Sequence, residues 1–443
     1  MAIQRRLPFA ERADGRPGEE SFDVEGRLSN LLKRDLTFKG EKTSYASHNI
    51  HAFAAKFPPQ IPRAFITELT RPGEVVLDPM SGSGTTLIEA VFAGRYGVGV
   101  DLDPLASLVA KVKSTPFALE RCAEAGREVL IEARKRLRPA SDGRLLRFYS
   151  PKAVEFFRYW FRDHTTDQLF ALVRAIRKVD DPQIRSFLKV IFSACIITKS
   201  GSLTLARDLA HSRPHRDLNR QVKQNALDVF EDRVGSAVES LRDISQSPYS
   251  SCMLRGDTRT LPISSNSVHL IVTSPPYAAN AIDYMRAHKF SLIWFGYDPK
   301  ELSALRGNYI GSERKPGSLE VDSKTGNGII RGLKNIEEGR AAAVAHYFNE
   351  MKPSLLEMLR VLQSGRAAVL VVGSSIIKGI DIKAPTVLAE IAESVGFRVV
   401  SVAKREIVRD ARMMPISQKS ERTGIEARMH EEGVIGLIKP PQG

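Results

Sequence analysis

The segment Val75-Val76-Leu77-Asp78-Pro79-Met80-Ser81-Gly82-Ser83-Gly84-Thr85-Thr86-Leu87-Ile88-Glu89-Ala90 constrains the fold of this chain more than any other. Its short apolar run predicts a buried parallel strand, its two glycines a tight turn, and the apolar positions after Thr85 a helix. Strand, glycine turn and helix in that order build a corner where backbone can approach a bound molecule closely. A triphosphate-cradling loop has a similar outline but needs Lys after its last glycine, and here Thr85 and Thr86 follow Gly84. The spacing also departs from the G-x-G-x-x-G dinucleotide pattern.

A second apolar run, Tyr96 to Val100, ends in Asp101-Leu102-Asp103-Pro104. An acidic residue about twenty positions past the glycine turn is placed to accept hydrogen bonds from ribose hydroxyls; the plainer alternative is a solvated carboxylate at a strand end. A third run, Val268 to Val272, leads directly into Thr273-Ser274-Pro275-Pro276-Tyr277. A rigid polar-Pro-Pro-aromatic turn at the end of a buried strand suits gripping a flat, amine-bearing ring. The same residues also read as a proline-stiffened loop after a core strand.

Together these segments carry a resemblance. Asp78 to Thr86 is similar to the cofactor motif of S-adenosylmethionine-dependent DNA amino-methyltransferases, with Met80 where Phe is usual. Thr273 to Tyr277 resembles their catalytic motif in its cytosine-N4 form. Arg255 to Pro262 is similar to the segment whose acid, here Asp257, meets the adenine of the cofactor. Lys56-Phe57-Pro58-Pro59-Gln60-Ile61-Pro62 resembles the motif closing over the methionine end. The resemblance implies S-adenosylmethionine as cofactor, held by Lys56, Phe57, Asp78, Pro79, Ser81, Gly82, Gly84, Thr85, Thr86, Asp101, Asp257 and Thr273. It implies catalysis by Ser274, Pro275, Pro276 and Tyr277, with no metal. The expected fold is α/β: a doubly wound, mostly parallel sheet of the Rossmann-like methyltransferase type, with an antiparallel last strand and a helical insert. The cofactor motif precedes the catalytic one, which resembles the alpha arrangement of these enzymes.

The chain has 443 residues, of which 42% are hydrophobic, enough for one large catalytic domain with an elaborated insert. The organisation expected is a flexible arm over 1–40, a cofactor half over 41–114, a helical insert over 115–250 as candidate target-recognition region, and a catalytic half over 251–443 with a flexible loop at about 303–335. Aromatics of the insert, such as Phe156, Phe157 and Trp160, read as core rather than as base-stacking platforms. The net charge of +14 favours a polyanionic partner, although it also serves solubility. Arg213, His215, Arg216, Arg286 and Lys289 are candidate nucleic-acid contacts; a solvated basic loop is the alternative for the first three. Cys122, Cys195 and Cys252 have no metal-ligand spacing and suit a reducing cytoplasm. No apolar run of about eighteen residues and no leader-like segment is seen, so no membrane is expected.

The resemblance implies a site-specific enzyme moving a methyl group to N4 of cytosine in double-stranded DNA, within restriction-modification or alone. The alternatives are adenine-N6 methylation, where Asp or Asn usually replaces Ser274, an RNA base methyltransferase, and, last, an inactive DNA-binding protein. A cognate restriction endonuclease is a candidate second partner, and a monomer or weak dimer is expected. Carbon-5 methylation would need a Cys beside Pro in the catalytic loop, and none of the three has that setting. Asp283 reads as a helix cap, with acceptance of the amine proton as its alternative.

Overall fold

The computed structural model describes residues 22–54, 56–198, 203–206, 216–219, 222, 224–278, 283–312, 317–407 and 431–441. The first helix, α1 (Val24–Leu32), puts Val24, Leu28, Leu31 and Leu32 on one buried face. Residues 22–40 therefore depart from the flexible arm expected there: these side chains and Leu36 pack into the core beneath the sheet. The leucine spacing drives this, since it offers an apolar stripe that only burial satisfies. Residues 1–21 lie outside the described residues.

After α2 (Gln60–Leu69) come β1 (Val75–Asp78), α3 (Thr85–Phe92), β2 (Tyr96–Asp101) and α4 (Pro104–Ser114). The insert follows as α5 (Leu119–Arg136), α6 (Asp142–Leu145), α7 (Pro151–Trp160), α8 (Asp163–Ile176), α9 (Pro182–Ile196), α10 (Ala226–Ser240) and α11 (Arg242–Ser245). Its described elements are helices. Phe157 is core, stacking on Trp294 at 3.8 Å between ring centres, while Phe156 and Trp160 pack partly buried against the same cluster and Phe148 and Tyr159 stay exposed. Trp294 follows α12 (Met285–Leu292), so the insert packs on the segment after the Pro-Pro turn.

The remaining strands are β3 (Ser251–Arg255) and β4 (Val268–Thr273), then β5 (Leu362–Gly373) after the helices α13 (Pro299–Arg306), α14 (Lys324–Lys334) and α15 (Glu338–Val361). A two-residue pair, β6 (Ile376–Ile377) and β7 (Ile380–Asp381), precedes α16 (Ala384–Ser394), β8 (Arg398–Glu406) and β9 (Glu431–Ile438). The span 303–335 holds the end of α13 and the whole of α14 rather than one long flexible loop. Asp298 and Glu301 form a capping box on α13, and Ile330 and Leu333 bury one face of α14 despite its glycines. Residues 313–316 lie outside the described residues.

The main sheet runs β3-β2-β1-β4-β5-β9-β8. Neighbours from β3 to β5 are parallel, and β9 is antiparallel to both β5 and β8. All four residues of β1 and all six of β4 are buried, which is why both read as continuous apolar runs. From β1 the chain winds outward through β2 to β3, returns to β4, and winds the other way. That reversal opens a crevice at the carboxyl ends of β1 and β4, where ligands bind in such sheets. No described helix is long and apolar enough to cross a membrane.

Candidate active site

The glycine turn occupies one side of this crevice. Gly82 and Gly84 have φ of 50° and 82°, in the left-handed region that side chains resist. At Gly84 a Cβ would also lie 3.0 Å from the backbone of Ala110 on α4. The turn is pinned to β2, with the Ser81 amide donating to the Val100 carbonyl at 3.0 Å and the Gly82 amide to Asp101 Oδ2 at 2.8 Å. Asp101 Oδ1 accepts from the Asp103 amide at 2.8 Å. Burial, then the charge of Asp103, push the Asp101 carboxyl up to about 7. Lys113, fully buried on α4, donates from Nζ to the Ser83 carbonyl at 3.0 Å, and burial holds its pKa well below the usual lysine range.

The Pro-Pro turn occupies the other side. Thr273 donates from Oγ1 to Asp78 Oδ1 at 2.7 Å, so the ends of β4 and β1 are tied side chain to side chain. Thr86 adds a second tie, donating to the Val272 carbonyl at 3.2 Å. Burial pushes the Asp78 carboxyl up to about 6, against the pull of these hydroxyls. Tyr277 donates its hydroxyl to Glu432 Oε1 at 2.5 Å.

The two corners share one cavity of about 540 Å³. Of the residues expected at the site, Lys56, Phe57, Asp78, Pro79, Ser81, Gly82, Thr85, Asp101, Asp257 and Ser274 to Tyr277 line it. Gly84, Thr86 and Thr273 stand behind that lining and shape it. Lys56 Nζ donates to the His48 carbonyl at 2.9 Å, and Asp257 is gripped by the Arg259 guanidinium at 2.6 Å. Among the basic candidates, Arg286 lines the cavity, whereas Arg216 sits over the Tyr159 ring at 4.2 Å and Lys289 over Phe156 at 5.7 Å, both outside the lining. Arg213 and His215 lie outside the described residues.

Asp283 is not a helix cap, because α12 begins after Tyr284 with no side-chain cap. It pairs instead with Arg286 at 2.6 Å and Arg306 at 2.7 Å on the cavity wall. Burial pushes the thiols of Cys122 and Cys195 up to about 12, which keeps them protonated and unreactive.

Several lining residues escape sequence reasoning. Phe53 stacks on Tyr284 with ring centres 5.0 Å apart, and would stand 3.4 Å from a Cβ at Gly82. Asp103 accepts from the Tyr309 hydroxyl at 2.7 Å and lies 2.9 Å from His288 Nδ1. Only Asp103, inside the Asp-Leu-Asp-Pro signal, was open to detection from local pattern; the others arrive from distant segments.

The site fits a nucleoside-bearing cation. Ser81 Oγ and Thr258 Oγ1 are buried, line the cavity, and have no hydrogen-bond partner among the described residues. Both hydroxyls are open to a polar group entering the cavity. Asp78, Asp101 and Asp103 add carboxylates to the same wall. The doubly wound sheet with its antiparallel last strand, glycine turn after β1 and acid after β2 is the arrangement of the Rossmann-like methyltransferase fold.

Comparison with known proteins narrows the class. Residues 19–111 match the family model described as DNA methylase. The Type II methyltransferase M.MvaI of Kocuria varians is 22% identical, covering 80% of this chain and 83% of that protein. M.MjaII of Methanocaldococcus jannaschii is 23% identical over 72% and 75%, and M.BsoBI of Geobacillus stearothermophilus 22% over 87% and 86%. The chain is thus similar to these Type II methyltransferases along most of its length.

Proposed function

We propose that this chain moves a methyl group from S-adenosylmethionine to the exocyclic N4 of cytosine at a specific sequence in double-stranded DNA. The observation that carries this reading is the Thr273–Asp78 hydrogen bond, which makes the glycine corner and the Pro-Pro corner two walls of one cavity. When bound, S-adenosylmethionine supplies an electrophilic methyl group on a sulfonium. The chain would hold it with the 81–86 turn, with Asp101 on the ribose hydroxyls, Asp257 toward the adenine, and Lys56 and Phe57 at the methionine end.

An exocyclic amine is a poor nucleophile because its lone pair is delocalised into the ring. Ser274 and the Pro275 carbonyl accept hydrogen bonds from that amine and pull its nitrogen toward tetrahedral geometry. Pro276 has no N–H and cannot compete for those acceptors. Tyr277 offers its ring to a base rotated out of the duplex. Most of the rate gain is positioning, and no strong base is required before attack, since the amine proton becomes acidic once nitrogen is alkylated. Ser274, where Asp or Asn would favour adenine, supports cytosine. The charge of +14 supports a nucleic-acid partner through phosphate contacts. A restriction endonuclease cutting the same sequence would be its counterpart.

Incubation with tritiated S-adenosylmethionine and either duplex DNA or folded RNA tests the substrate class. Label is expected in DNA. Label confined to RNA, or none in either, overturns the reading.

A further inference from the structure

We infer that Glu432, held by Arg405, is a positioning residue for the base-binding ring of Tyr277; this rests on the stacking role proposed for that ring. Glu432 lies near the start of β9, opposite Gly373 at the carboxyl end of β5 and opposite Arg405 on β8. The antiparallel direction of β9 is what brings its first residues to the ligand edge of the sheet. There Glu432 accepts from the Tyr277 hydroxyl at 2.5 Å through Oε1 and pairs with Arg405 through Oε2. Arg405 donates in turn from Nε to the Leu36 carbonyl at 3.1 Å. Glu432 and Arg405 are 7% and 5% exposed.

A buried ion pair is an inefficient way to stabilise a core, since apolar residues of similar volume often serve as well. What this pair provides is direction. One carboxylate oxygen is engaged by Arg405 and the other remains for Tyr277, whose ring lines the cavity. A ring fixed at both its Cβ and its hydroxyl keeps one face orientation, and pre-orientation of reacting groups is where such a site gains rate. Tyr277 thus differs from a Phe at the same place, which would present the same face without the anchor.

The test combines Tyr277→Phe with the paired apolar replacement Arg405→Met/Glu432→Leu, which removes the anchor without stranding a buried charge. Methyl transfer to unmethylated genomic DNA and S-adenosylmethionine affinity are measured for each and for the combination. Each change is expected to lower kcat/KM for DNA about tenfold, as loss of a hydrogen bond to a charged acceptor implies. The combination should cost no more than either, with cofactor affinity within about twofold. Multiplying losses, or cofactor affinity falling in step, overturns the assignment. Tyr277→Phe alone decides should the paired replacement not fold: wild-type kinetics with Tyr277→Ala impaired removes the anchor and keeps the stacking reading. Wild-type kinetics with Tyr277→Ala removes the stacking reading itself.

Discussion

Thr273 Oγ1 and Asp78 Oδ1 lie 2.7 Å apart, joining two strand ends that are 195 residues apart in sequence. The bond runs from the last residue of β4 to the last residue of β1. It therefore holds the mouth of the crevice at a set width. Thr273→Val keeps the shape and removes the donor. Stability should fall by about 2 kcal/mol in denaturant titration, the range for a buried hydrogen bond to a charged group. Unchanged stability would contradict the role given to this pair.

Asp101 and Asp78 are the site carboxyls raised toward neutral pH. Both carboxyls are pushed above their ordinary value of 3.8, to about 7 and about 6, chiefly by burial. Their favourable contribution to folding is complete below that ordinary value and is lost as pH rises through about 6 and then about 7. Ligand binding should run the opposite way, because in the role proposed for it an ionised Asp101 would accept more strongly from ribose hydroxyls. S-adenosylmethionine affinity should increase as pH rises through about 7. Asp101→Asn should weaken it about tenfold and flatten the pH profile, as read by calorimetric titration. A retained profile in the variant would assign the dependence elsewhere.

Gly84 should not tolerate a side chain. With φ of 82° and a Cβ placed 3.0 Å from Ala110, Gly84→Ala must strain the turn or move α4. A loss of about 1–3 kcal/mol in stability is expected, together with weaker cofactor binding, because the same turn forms the cavity wall. Thermal unfolding with and without S-adenosylmethionine checks both parts.

Tyr277→Ala separates the two ligands. Base docking should suffer, with kcat/KM for DNA falling at least tenfold by the worth of a base–aromatic stack. Cofactor affinity should stay near that of the wild type, since the 81–86 turn and Asp101 are untouched. Equal loss of both would contradict the stacking assignment.

The sequence was most legible where function is local. Val75 to Ala90 and Val268 to Tyr277 each state a strand and the turn after it within a few residues, and the sheet places them side by side. Contacts made across the fold left no such trace. Glu432 reaches Tyr277 from 155 residues away, and Tyr309 reaches Asp103 from 206. The first helix was obscured by charge around a single turn-by-turn leucine stripe, and α14 by three glycines in eleven residues. Asp283 shows the same limit: its position suggested a cap, but Arg306, brought in by α13, claims its carboxylate.

Nucleoside mass spectrometry of DNA from cells expressing this chain tests the central claim, that Ser274 and Tyr277 present an extruded cytosine to a methyl donor held at the glycine turn. N4-methylcytosine is the result predicted, absent with Tyr277→Ala. N6-methyladenine in its place, or no modified base from an enzyme that binds S-adenosylmethionine, would contradict it.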